Sequence, residues 1–285
     1  MLFAGEGAVK HQSILEYANF RWFKVAFVLS AVAGFAYGFH EPSTKPYGGS
    51  ALGYTLGTVA ALLVLWLLWF GVRKRLYRST LGSVQGWLSA HVYLGTALLV
   101  IATLHTGFEL GWNVHGLAYV LMVLVIASGF YGVFAYLRVP GALTANLGDE
   151  TLGSILLRLA DIDKDMREKA LSLPDPLFRL VERSVVATRL GGNVFRIVSG
   201  RDPGCPTARA ARELPELAKS LTGEPANVNK EVYTLLLQKN ELLARARRAM
   251  RHKAILDLWL YFHVPLSIAL LAALTVHVVT VFIYW

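Results

Sequence analysis

The chain has 285 residues, 55% of them hydrophobic and 16% charged, and its mean hydropathy is +0.46. That composition, with several apolar runs longer than a buried core helix requires, excludes an ordinary soluble domain and points to an all-α integral membrane protein. The net charge of +9 does not indicate nucleic acid, because the basic residues gather at span ends and in one long loop, and the single cysteine, Cys205, excludes an intrachain disulfide, a thiolate-held iron–sulfur cluster and a Cys-x-x-Cys-His haem attachment.

In chain order, a polar N-terminal stretch leads into a first apolar run from about Trp22 to Phe39. No small-residue cleavage site follows a short apolar core, so this reads as an uncleaved span. The loop HEPSTKPYGGS, His40 to Ser50, is rich in turn formers, and a second span runs from about Leu52 to Val72. The basic run RKRLYR, Arg73 to Arg78, follows at once and marks the cytoplasmic side. The N-terminus is therefore expected inside, in a bacterial inner (cytoplasmic) membrane. A third span goes outward from Leu88 to Phe108, and a fourth returns from Val114 to Leu137, where Arg138 meets the cytoplasm. A fifth leaves Tyr284 and Trp285 in the outer aromatic belt. The expected division is thus four spans in 1–138, a cytoplasmic insert in 139–254 and the fifth span in 255–285.

The insert is expected to be a small α(+β) subdomain. Thr151 to Leu171 places Leu152, Ile155, Leu156, Leu159 and Ile162 at helical spacing. Ser184 to Val198 carries β-branched residues on both sides of Gly191 and Gly192 and predicts a hairpin. From Asn227 a helix is expected, continuing into the fifth span. DIDKD, Asp161 to Asp165, lacks the glycine and glutamate of a calcium loop and reads as a solvated helix face. GRDPGCP, Gly200 to Pro206, is a turn-rich loop without the Gly-Lys-Ser/Thr of a phosphate loop. An insert of this length between spans is expected to dock a redox partner.

The chemistry lies in four histidines. The third span, WLSAHVYLGTALLVIATLHTGF, carries His91 and His105 fourteen positions apart, and the fifth carries His263 and His277 at the same separation. Fourteen residues of α-helix rise about 21 Å through almost four turns, so both imidazoles of a span share one face. The third and fifth spans run parallel in the topology above. His91 is then level with His263 near the inner face, and His105 with His277 near the outer face of a hydrocarbon core about 30 Å thick. Ionisable groups at such depth serve a pathway or a ligand. Two facing histidines per level suit haem iron, and hydrogen bonding between helices is the alternative.

Two parallel spans with equally spaced histidine pairs resemble the dihaem four-helix core of the cytochrome b of quinol:cytochrome c oxidoreductases. They are also similar to the histidine-bearing spans of ferric-reductase and NADPH-oxidase-type cytochromes, and the span count resembles nitrate-reductase cytochrome b subunits. The chain departs from the first in lacking further C-terminal spans and a Pro-Glu-Trp-Tyr-like quinol motif, and from the oxidases in lacking a flavin or nucleotide domain. The resemblance implies two b-type haems, each held by two histidines, in a subunit that works with partner iron–sulfur, flavin or cytochrome c proteins and exchanges electrons with quinone. A ferric-reductase-type conduit without quinone and a haem-free anchor or transporter are the alternatives.

Secondary features accompany these pairs. Gly57 and Gly71 on the second span, and Gly116, Gly129 and Gly132 on the fourth, recur at about the separation of the two levels, either to admit a macrocycle or for helix packing. Candidate propionate or quinone contacts are Arg21, Arg73, Arg138 and Arg251 on the inner side, and Lys45 and His115 on the outer. Pro265 is expected to bend the fifth helix beside His263.

Overall fold

The computed structural model describes residues 13–41, 47–76, 80–147, 150–200 and 202–284. Among them the secondary structure is helical throughout, with no strand. Five helices are long and apolar enough to cross a membrane: α1 (Tyr17–Gly38), α2 (Ala51–Arg75), α3 (Val84–Thr106), α4 (Val114–Leu147) and α9 (Glu224–Tyr284). The chain divides into two compact units, Met1–Val133 with Leu260–Trp285, and Phe134–Trp259. Helices α4 and α9 each run from one unit into the other. The second unit is therefore wider than the 139–254 expected from hydropathy. Hydropathy marks where a helix leaves lipid, and backbone hydrogen bonding carries the helix on past that point.

In the first unit α3 is the central helix, a third of its apolar window being buried against 11–17% for the other spans. Ser83 begins it by accepting from the Gly86 amide at 3.1 Å. Gly107 ends it at φ +58°, a left-handed position that glycine takes without steric cost. One apolar core joins all five spans: Ala33 from α1, Leu56, Ala60 and Val64 from α2, Leu98, Ile101 and Ala102 from α3, Met122 from α4 and Leu270 from α9. Small residues at this seam let the helix backbones approach. Left-handed backbone at Ala18, Asn19 and Phe20 breaks the start of α1, so its regular part begins at Arg21, one residue before the expected span.

Tryptophans and an arginine organise one end of this bundle. Trp66 stacks on Trp87 at 5.0 Å and 11°, and Trp22 leans on Trp66 at 6.3 Å. Arg73 is 4% exposed and donates to the Leu76 carbonyl at 3.3 Å and the Gly82 carbonyl at 2.6 Å. That side chain holds the α2–α3 loop closed.

The second unit has its own core, built by α5 (Leu152–Ala170), α6 (Asp175–Ala187), α8 (Pro206–Leu217) and the first part of α9. A short α7 (Val194–Ser199) lies between α6 and α8. The amphipathic helix expected from 151 forms, capped by Thr151 accepting from the Ser154 amide at 3.1 Å. The helix expected from Asn227 also forms and continues into the fifth span, passing through Pro265 without ending. The hairpin expected over 184–198 does not form. Leu177, Val181 and Ser184 are buried at helical spacing, so the 3.6-residue period of α6 overrides the β-branching of Val185 and Val186. Beyond the glycines, Asn193 accepts from the Arg196 amide and starts α7.

DIDKD is likewise not a wholly solvated face. Lys239 is 1% exposed, and its ammonium meets Asp163 Oδ1 at 2.5 Å and donates to the Ser184 carbonyl at 2.8 Å. Burial raises the Asp163 carboxyl above its ordinary value, and Lys239 pulls against that rise. Removing one member of a buried pair strands the other, so Lys239→Ala is expected to destabilise the chain by about 3 kcal/mol. Lys239→Met combined with Asp163→Leu should recover most of that loss. Thermal unfolding of the full chain in detergent checks both, and an unchanged midpoint for Lys239→Ala would discard a structural role for the pair.

Candidate metal centre

At the outer level, His105 stands in the last turn of α3 and its Nδ1–H donates to the Gly53 carbonyl of α2 at 2.8 Å. That bond fixes the tautomer and leaves Nε2 as a bare lone pair, as in metal-ligating histidines whose second nitrogen is held by a carbonyl. The ring seats against Gly57, where an added Cβ would lie 2.7 Å from Cε1. Across from it is His277 of α9, with the two ring centres 6.1 Å apart and their planes at 79°. A metal–imidazole nitrogen bond is about 2.0–2.1 Å, so two rings facing across one ion hold their centres roughly 6 Å apart. The observed separation fits.

His115 completes this level. It sits in the first turn of α4, which Asn113 caps by accepting from the Gly116 amide at 2.9 Å. Its ring centre is 4.4 Å from that of His277 at 89°, and the two Nδ1 atoms share a short hydrogen bond. If His277 presents Nε2 to a metal, its Nδ1–H donates and His115 Nδ1 accepts. His115 therefore touches a histidine of the pair itself through Nδ1. A sequence motif could not have shown this pairing, since 162 positions separate the partners.

The inner level pairs His91 of α3 with His263 of α9, which lie within electrostatic range of each other. Ser128 on α4 anchors the second of these. Its hydroxyl donates to the Val125 carbonyl at 2.9 Å, so its oxygen accepts from His263 Nδ1–H at 2.6 Å and Nε2 again carries the lone pair. His91 packs against Phe70 with ring centres 5.2 Å apart. The Leu67 backbone also reaches this ring. The fourteen-residue spacing therefore brings the four histidines together as two like-level pairs on parallel helices.

The auxiliary residues divide. Gly57 abuts His105, and a Cβ on Gly129 would sit 3.7 Å from His263 Cε1, so each serves one level. A Cβ on Gly71 would meet nothing within 4 Å among the described residues, and Gly116 packs against the Gly111 carbonyl, so only Gly57 and Gly129 of these four lie beside a paired histidine. Arg73 is committed to its loop, the Arg21 guanidinium lies 5.6 Å from the Trp22 ring centre, and that of Arg138 lies 4.6 Å from Phe134. Arg251 packs its stem over Gly200 within the second unit. Lys45 and Trp285 lie outside the described residues, as do the side chains of Tyr47 and Tyr284.

Among the described residues no three His, Cys, Asp or Glu side chains gather as a metal cage. Comparison with protein-family models, with curated proteins and with solved structures gives no match.

Proposed function

We propose that this chain is a dihaem b-type cytochrome subunit, carrying electrons across the membrane between the quinone pool and a partner redox protein. The observation that carries the proposal is the pair of imidazoles 6.1 Å apart whose first member is locked by the Gly53 carbonyl. The inner pair supports it through the matching anchor from Ser128. Two facing imidazoles per level, with His115 bonded to His277 Nδ1 at the outer one, are too few for a structural zinc site, and they suit an iron whose macrocycle brings the remaining donors. Haem held between two histidines supplies one-electron transfer with no open coordination position for oxygen.

The residues of this chain supply the rest. Gly53 and Ser128 hold the His105 and His263 rings in one tautomer, so neither must reorient when an electron arrives. The apolar seam of Leu98, Ile101, Met122 and Leu270 between the levels keeps water out of the bundle. Helical rise sets the two levels about 21 Å apart, so a charge crosses in two steps. Under the topology proposed from the basic clusters, His91 and His263 face the cytoplasmic side, and the insert is assigned to docking the redox partner.

The test is spectroscopic. Full-length protein purified in detergent should show a reduced b-type spectrum with about two haems per chain. A soluble quinol should reduce both centres, and a quinone analogue should block that reduction. A colourless, correctly folded chain overturns the proposal and leaves the His115–His277 contact as the polar core of a haem-free bundle. Two haems that no quinol reduces would retain the conduit and remove the quinone.

A further inference from the structure

The second unit holds a concave site that the electron-transfer reading does not use. The loop after α6 and the following α7 form one side of it, with Arg189, Leu190, Gly191, Arg196 and Ile197. Gly200, Asp202, and Arg247 and Met250 of α9 form the other side of a shallow, open concavity. Three guanidinium groups thus line a space whose lining contains a single carboxylate, Asp202. That carboxylate is already engaged, accepting from Arg247 at 2.9 Å. The Arg196 stem folds over Gly192, where a Cβ would be 3.0 Å from its Cδ.

We infer that this pocket is a binding site for a phosphate-bearing anion. Arginine forks match phosphate oxygens two at a time, and three of them around one concavity exceed what a single, already paired carboxylate neutralises. The apolar wall of Leu190, Ile197 and Met250 suits the less polar part of the same molecule. Two sources share this chemistry, a phospholipid headgroup and a free phosphate compound. Arg247 and Arg251 are carried by the helix that becomes the fifth span, with the apolar run beginning near Leu258, so they stand on the order of 10–16 Å before it along the helix axis.

Native mass spectrometry of the full chain released from detergent doped with phosphatidylglycerol or phosphatidylcholine tests the site. Wild type should retain phosphatidylglycerol over phosphatidylcholine, and Arg189→Gln with Arg196→Gln should lower retention about tenfold or more. Both arginines are exposed, so the double variant should fold. Arg209→Gln with Arg212→Gln, which removes the same charge from α8, should change retention less than about twofold. Equal losses in the two double variants would reduce the effect to bulk charge and overturn the site. Inorganic phosphate that displaces the lipid, or that stabilises wild type and not the pocket variant against heat, identifies a free phosphate compound as the occupant. Lipid retained against phosphate identifies the headgroup. Neither lipid preference nor phosphate stabilisation in the wild type overturns the inference.

Discussion

Replacing His263 by alanine is expected to leave one haem per chain in place of two, with the outer centre still reducible. The loss follows from how the inner level is held. His91 sits on the central, most buried span and is one imidazole, so it offers one ligand and no substitute for the second. Ser128 anchors the His263 ring, and with that ring gone it has no imidazole to hold at this level. Ser128→Ala is expected to be milder. It frees the His263 ring without removing the ligand, and loss of an outer-shell partner typically costs ten- to a hundredfold in metal affinity.

The full series of alanine variants also tests the pairing. His91→Ala and His263→Ala should give the same residual spectrum, and His105→Ala and His277→Ala should give the other. Pyridine haemochrome content per chain and reduced-minus-oxidised spectra read both properties. Should His91→Ala match His277→Ala, the spans would have to run antiparallel. Wild-type haem content in all four variants would remove the metal centre altogether.

Much of this arrangement is legible in the amino-acid sequence, and the reason is periodicity. Apolar runs about a bilayer long mark the five spans, and fourteen residues close almost to whole helical turns, so the histidine pairs and their levels can be read directly. Local competition is harder to read. Val185 and Val186 favour a strand, yet the burial of Leu177, Val181 and Ser184 at helical spacing decides for α6. Long-range partners carry no local signal at all. By its neighbours in sequence Asp163 is one acid on a wet face, because Lys239, which buries it, lies on another helix. The same applies to Ser128 beneath His263 and to His115 against His277. Arg73 is legible as a cytoplasmic charge, but its use in closing the α2–α3 loop depends on carbonyls that the turn at Gly82 presents. Sequence spacing thus locates the paired histidines, while the groups that orient them emerge only from packing.

The glycines of the second span separate those two kinds of information in one experiment. Gly57 and Gly71 are fourteen positions apart and look equivalent by spacing. Their surroundings differ. A Cβ on Gly57 would lie 2.7 Å from His105 Cε1, 2.9 Å from Nδ1 and 3.2 Å from Nε2, closer than side chains tolerate, whereas nothing lies within 4 Å of one on Gly71. Gly57→Ala must therefore displace the imidazole, break its bond to the Gly53 carbonyl and take it out of register with His277. The expected result is loss of the outer haem, about half the total, with the inner spectrum unchanged. Gly71→Ala should bind two haems, and so should Gly129→Ala, whose Cβ meets His263 at an ordinary 3.7 Å. Alanine favours a helix over glycine by up to about 1 kcal/mol, so the substitutions do not work by weakening α2. Two unaltered haems in Gly57→Ala would refute the position assigned to His105. Loss of a haem in Gly71→Ala would instead mean that a macrocycle lies against the second span at both levels, as equal spacing alone suggests.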